Sequence, residues 1–177
     1  MLHFKEFNKD TETEELVHFL IGDTWPFHGQ VNPKEESIIK SLNDGFYTEN
    51  GTRTFWMEQT DRKIGLIRLF DLEDPTCLFD IRLKEAWRQK GIGSKAVRWI
   101  ADFAFRNYPE LIRVEGHTRH DNVGMRKTFS NNGYVKEAYN RKSWPQEGVL
   151  FDSVSYAMIR EDWKNGTTTP IHDLYTI

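Results

Sequence analysis

The apolar positions of this chain change their spacing several times, and each change marks an element. Phe4 to Phe7 suits a first strand. Leu16, Val17, Phe19 and Leu20 then recur at helical spacing behind Thr11-Glu12-Thr13-Glu14, which has the form of a capping box. Gly22 to Gln30 is turn-rich. Asn32-Pro33-Lys34-Glu35 predicts a second helix start, with Asn as cap and Pro at the first helical position. Ile38, Ile39 and Leu42 give that helix one apolar face, and Asn43-Asp44-Gly45 stops it. Thr52 to Met57 and Ile64 to Phe70 predict a hairpin across the polar turn Gln59 to Lys63. Thr76 to Leu83 predicts a further antiparallel strand. Ser94 to Asn107 carries Ala96, Val97, Ile100, Ala101, Ala104 and Phe105 on a broad apolar helical face. Leu111 to Thr118 reads as a strand, Asn122 to Ser130 as a helix, and Tyr134 to Tyr139 and Leu150 to Ile159 as closing strands around a polar, Pro-containing loop. The stretch from Asn165 to Ile177 has no periodicity and is left unassigned.

This order is neither a regular βαβα repeat nor all-β. It predicts an α+β fold in three layers: one mixed, mostly antiparallel sheet of about seven strands with helices on both faces. Residues 1–164 form a single domain in this reading, and 165–177 form a C-terminal tail.

Composition narrows the function. The 177 residues suit one domain; 38% are hydrophobic and 14% aromatic, as in a globular chain. A net charge of −3 supplies no broad basic field, which argues against nucleic acid as a partner. Cys77 is the single cysteine, which excludes an intramolecular disulfide and fits a reducing compartment. No apolar run approaches membrane-spanning length and the first residues lack a signal-peptide core, so the expectation is a cytoplasmic protein with no membrane partner.

The most specific chemistry lies in Arg88-Gln89-Lys90-Gly91-Ile92-Gly93, between a predicted strand and a predicted helix. A glycine turn opening a helix aims backbone N–H groups and the positive end of the helix dipole at one point, which suits phosphate. The spacing is not that of a Walker loop, and no third glycine completes a dinucleotide fingerprint. It does match the Arg/Gln-x-x-Gly-x-Gly/Ala turn that binds the coenzyme A pyrophosphate.

Three segments together resemble the GNAT N-acetyltransferase family, and within it the RimJ/RimL-like branch of ribosomal-protein acetyltransferases. Ala86 to Ala96 is similar to the family's motif A. Asp121 to Tyr134 is similar to motif B, in which an Asn opens a helix that ends in Gly-Phe or Gly-Tyr. Ser155 to Trp163 is similar to the last strand and its ending. The likeness runs from about Leu2 to Trp163 and is only topological in the first half.

The resemblance implies acetyl transfer from acetyl-CoA, as cosubstrate, to a primary amine on a protein N-terminus or a small molecule, directly within a ternary complex. It implies that Ile81, Arg82 and Leu83 offer backbone groups to the pantetheine arm. Gln89, Lys90, Gly91, Ile92, Gly93 and Ser94 would hold the pyrophosphate, with charge from Lys90 and Arg88; Arg88 reads equally well as a solvated loop residue. Asn122 matches the family's cofactor-contacting Asn and is equally suited to capping its helix.

An alkyl amine with a pKa near ~10 must lose a proton before it attacks a thioester. The developing oxyanion needs a hydrogen-bond donor, and the departing thiolate needs a proton. Asp80, eight residues before Arg88, stands where many family members carry a Glu and is the candidate base; a surface carboxylate paired with Arg82 or Arg68 is the competing reading. Phe129 stands where many members carry a proton-donating Tyr, which leaves the acid unassigned among Tyr134, Ser130 and water. Trp25, Phe27, His28 and His117 are candidate substrate contacts, with core anchoring the competing reading for Trp25. Trp144-Pro145 is a candidate gate or subunit contact. The His117-to-Asp121 cluster fits no known zinc spacing, so no metal is expected. A homodimer remains open. A non-catalytic acetyl-CoA sensor is the alternative function.

Overall fold

A computed structural model describes residues 1–174; the last three residues of the 165–177 tail lie outside the described residues. The elements in chain order are β1 (Leu2–Glu6), α1 (Lys9–Ile21), α2 (Glu35–Asn43), β2 (Arg53–Gln59), β3 (Arg62–Phe70), β4 (Thr76–Leu83), a 3₁₀ turn (Glu85–Trp87), α3 (Ile92–Asn107), β5 (Arg113–Arg119), α4 (Val123–Asn131), β6 (Val135–Gln146), β7 (Val149–Ile159) and α5 (Arg160–Asn165). The sheet runs β1-β2-β3-β4-β5-β7-β6, and only β4 and β5 are parallel. The expected α+β fold is the one observed.

Strand alternation divides the core in two. Phe55, Met57, Ile67, Leu69 and Phe79 pack on one face against Ala96, Val97, Ile100 and Ala104 of α3. Trp56 and Leu66 point to the other face and pack against Leu16, Phe19, Leu20, Ile38 and Leu42 of α1 and α2. Asp80 and Arg82, opposite Arg68 and Leu66 in the β3–β4 register, therefore project from the α1/α2 face.

Several boundaries differ from expectation for identifiable reasons. The cap of α1 is Asn8, whose Oδ1 accepts from the Asp10 N–H; Glu12 lies within the helix and its carboxylate accepts from the Asn8 N–H at 2.9 Å. The capping-box pattern over Thr11–Glu14 thus marked the right helix one turn late. Helix α2 starts after Lys34, so Asn32 and Pro33 precede it and do not cap it. The polar loop expected after Tyr139 is strand: β6 runs on to Gln146 and turns at Glu147-Gly148, both with positive φ. The short α5 has no apolar periodicity that would predict it. Its Asp162 accepts from Thr167 and Thr169, which ties the start of the tail to the domain.

Candidate active site

Pairing between β4 and β5 runs from Thr76/Arg113 to Phe79/Gly116 and ends there, although β4 continues to Leu83 and β5 to Arg119. Beyond Phe79, β4 is held by β3 alone. A chain edge without a neighbouring strand is thereby presented at the middle of the sheet. Gly116 stands where the pairing ends, and a Cβ there would lie 2.5 Å from the Phe129 ring. Phe129 itself is fully buried and stacked on Tyr156, so it is a core residue with no access to a reacting group. Tyr134 is enclosed by Phe79 and Phe129, and burial pushes its phenol well above the ordinary range. Neither aromatic is placed to supply a leaving group with a proton.

The chain leaves β4 through the 3₁₀ turn and enters α3 at Gly91, whose φ of 74° is left-handed; Gln89 also has positive φ. No side chain caps this helix start, so its first-turn N–H groups face the loop. Added Cβ atoms at Gly91 or Gly93 would meet nothing within 4 Å, so the fold itself does not need glycine's small size there. Lys90 lies over the Trp87 ring. Arg88 is engaged elsewhere: its Nε donates to the Leu83 carbonyl at 2.9 Å and its Nη2 to the Thr24 carbonyl at 2.5 Å, close to Asp23. Its guanidinium clamps the loop after α1 to the end of β4. Asn122 caps α4 through the Met125 N–H and donates to Thr118 Oγ1. Ser94 Oγ accepts from Asn132, which joins the start of α3 to the end of α4.

The loop between α1 and α2 crosses the open edge of β4. Trp25 is 1% exposed, packs on Phe19 and donates to the Leu20 carbonyl. It anchors the loop and does not reach the cleft, contrary to a substrate contact. The Pro26 carbonyl accepts from Gln146 Nε2 at 2.9 Å, and Arg119 links Gln146 and Asp121. Phe27 lies against the Arg119 guanidinium and also stands outside the cleft lining.

This fixes His28. Its Nε2 lies 3.0 Å from Asp80 Oδ1 and 3.1 Å from the Ile81 carbonyl oxygen. A nitrogen facing two acceptors carries the hydrogen, so in the neutral ring Nδ1 bears the lone pair. That Nδ1 is buried and unpartnered. Burial pushes the Asp80 carboxyl up, but His28, Arg82 and Arg68 outweigh it and hold the group well below the usual carboxylate range. A carboxylate stabilised this strongly takes up a proton poorly; a hydrogen bond from imidazole suits it better. The sequence pointed to Asp80 and His28 separately, but nothing in it pairs residues this far apart.

Asp80 and His28 share a cleft of about 310 Å³ with Gly29, Arg68, Phe70, Leu78, Phe79, Arg82, His117 and Trp144. His117 contacts Glu115. Larger hollows lie along the outer side of α2 and bring no such reactive pair together. Cys77 is fully buried, and burial, reinforced by Asp71, pushes its thiol up to about 12, so it is no nucleophile. Among the described residues, no group of three or more His, Cys, Asp or Glu is placed to hold a metal, and no helix is long and apolar enough to cross a membrane.

Known proteins resemble this chain in sequence or in fold. Residues 3–135 match the acetyltransferase (GNAT) domain family. The probable N-acetyltransferase YjcK of Bacillus subtilis is 31% identical over 105 residues, 58% of this chain and 58% of that protein. A spermidine N-acetyltransferase SpeG from Vibrio cholerae, solved with CoA and spermine, superposes with a TM-score of 0.75 at 17% identity, covering 93% of this chain and 98% of that one. RimL, a ribosomal L7/L12 alpha-N-protein acetyltransferase solved with coenzyme A, gives 0.77 at 14% identity, covering 89% and 93%. With its family match spanning most of the sequence, and the sheet, glycine turn and helix order in place, the chain belongs to the acetyltransferase (GNAT) domain family.

Proposed function

We propose that this protein is an acetyl-CoA-dependent N-acetyltransferase acting on a primary amine by direct transfer. The observation that carries the reading is a juxtaposition: the uncapped, glycine-opened start of α3 lies directly beyond the unpaired edge of β4, on which the Asp80–His28 pair stands. The residues fit the cosubstrate. The space beside Gly91 and Gly93 is open, and the first-turn N–H groups of α3 suit a pyrophosphate. Gln89 to Ser94 would hold it, with Lys90 adding charge. Ile81 and Leu83 would meet the pantetheine arm mainly through N–H groups, because their carbonyls already accept from His28 and Arg88. Asn122 orders the start of α4 at the other side of the gap.

When bound, acetyl-CoA supplies the activated acyl group. The chain's own task is to strip the incoming ammonium of a proton. His28 takes that proton on Nδ1, while Asp80 fixes the tautomer through Nε2–H and stabilises the imidazolium that forms. Asp80 thus acts through His28, which refines its expected role as the direct base. Within the family we favour the RimJ/RimL-like branch, supported by Phe129 at the motif B position. The buried, single Cys77 suits a reducing compartment such as the cytoplasm.

The test is to incubate the protein with acetyl-CoA and a panel of primary amines and follow free thiol. Amine-dependent release is expected. CoA binding without release on any amine would instead favour the sensor reading, for which the missing tyrosine at Phe129 is the observation in hand.

A further inference from the structure

Six buried side-chain polar atoms lack a hydrogen-bond partner among the described residues: His28 Nδ1, Arg68 Nε, Arg82 Nη1, Trp144 Nε1, Asn132 Oδ1 and Tyr134 Oη. The first four belong to residues that line the Asp80 cleft. Buried polar groups are normally satisfied, so four exceptions around one cleft mark it as the place where water, or a ligand that displaces it, completes the hydrogen bonds. Three of the four, on Arg68, Arg82 and Trp144, are obligate donors. The fourth, His28 Nδ1, is an acceptor in the neutral ring whose hydrogen sits on Nε2.

The donors are held in place. The Arg68 guanidinium lies between the rings of Phe46 at 3.6 Å and Phe70 at 4.1 Å, and one Nη donates to the Phe46 carbonyl. Arg82 stands 5.5 Å from the Trp25 ring, with its Nε 3.5 Å from Asp80 Oδ2. Trp144 reaches in from the β6–β7 hairpin, opposite Phe151. Two permanent guanidiniums face one carboxylate, so the lining is cationic before any ligand arrives. All of this lies on the α1/α2 face of the sheet, with α3 packed on the opposite face. The donors therefore address the acceptor and not the pyrophosphate.

We infer that the acceptor is a small primary amine that also carries an oxyanion, a carboxylate or phosphate. The oxyanion takes the Arg68, Arg82 and Trp144 donors while the amine presents a hydrogen to His28 Nδ1. The inference rests on the acetyl-transfer reading and departs from the polyamine named for the SpeG structures, because the two guanidiniums repel a polycation. The volume of about 310 Å³ suits a compact molecule.

Calorimetric titration separates the two readings. With CoA saturating, so that the α3 turn is filled, four amines of similar length are compared: β-alanine, 2-aminoethyl phosphate, β-alaninamide and 1,3-diaminopropane. One or both oxyanion-bearing amines should bind at least about tenfold more tightly than the amide, the effect of a charge-assisted hydrogen bond; which of the two leads separates carboxylate from phosphate. Trp144→Phe keeps an aromatic side chain and removes the N–H, and Arg68→Gln removes the charge; each should shrink that advantage severalfold. Trp144→Phe carries the test if Arg68→Gln does not fold. Equal binding of acid and amide, a preference for the diamine, no binding by any of the four, or an undiminished advantage in the variants would overturn the inference. Thiol release on the same panel keeps the readings apart: tight oxyanion binding without release would count against acetyl transfer while supporting this site.

Discussion

Replacing Glu12 by Gln should destabilise the protein by roughly 3 kcal/mol at neutral pH. Glu12 is 7% exposed, yet it accepts from Lys63 at 2.7 Å, the Asn8 N–H at 2.9 Å, Trp56 Nε1 at 3.0 Å and Lys5 at 3.1 Å. Burial alone would raise its carboxyl; the hydrogen bonds, that from Lys63 foremost, outweigh burial and hold it at about 2 against an ordinary 4.5. At about 1.4 kcal/mol per tenfold change in proton affinity, that difference gives the magnitude stated. The sign follows from the depressed value. The stabilisation is complete above about pH 5, falls as the pH drops below 4.5, and is more than half gone by about pH 3. Gln keeps acceptors for Asn8 and Trp56 but offers no charge to the lysines, so the variant should lose this pH-dependent part. Urea unfolding of both proteins between pH 7 and pH 3 measures it. Thermal melts should show a midpoint lower by roughly 6–12 °C at pH 7. A gap under about 1 kcal/mol at pH 7, or one that does not narrow on acidification, would refute the reasoning. The helix this carboxylate pins to the sheet leads directly into the loop that carries His28.

Further outcomes follow from the same contacts. Asp80→Asn and His28→Gln should each lower turnover by about 10² or more while leaving the Kd for CoA within a few-fold, as steady-state kinetics beside calorimetry would show; unchanged turnover would remove the pair from the mechanism. Gly93→Ala lies in the first turn of α3, where its Cβ meets nothing. The unfolding free energy in urea should hold or rise, by up to about 1 kcal/mol of helix propensity, while CoA affinity falls; retained affinity would move the pyrophosphate elsewhere. Gly116→Ala should cost about 1–3 kcal/mol in urea unfolding, because its Cβ would meet Phe129 at 2.5 Å and Phe79 at 2.9 Å.

What the sequence revealed was local. The glycine turn, the strand before it and α3 after it were legible because left-handed Gly91 and the apolar face from Ala96 to Phe105 are written in adjacent residues. The strand Thr76–Leu83 was read to the residue for the same reason. What escaped depends on distant partners. Glu12 resembled an interior member of a later cap because the lysine and tryptophan that fix it come from β2 and β3. The outer half of β6 lost its alternation at exposed Arg141, Lys142 and Ser143, where the pairing with β7 shifts register between Asn140 and Trp144. His28 was legible as a loop residue near an acceptor, but its place on Asp80 requires the Arg119–Gln146 clamp on Pro26 and the burial of Trp25. Arg68, Arg82 and Trp144 each stood out singly in the sequence, but their convergence on one cleft depends on the β3–β4 register and the β6–β7 hairpin.

Acetyl transfer from acetyl-CoA to an amine can be followed at both ends of the reaction. The direct measurement is an end-point assay with wild-type protein and its His28→Gln variant, quantifying free CoA thiol and acetylated amine by mass spectrometry in the same tube. Wild type should form equal amounts of the two products, only when amine is present, and the variant should be slowed about 10²-fold or more with CoA still bound. Thiol release without acetylated amine would overturn acetyl transfer, and a variant as fast as wild type would overturn the role given to His28.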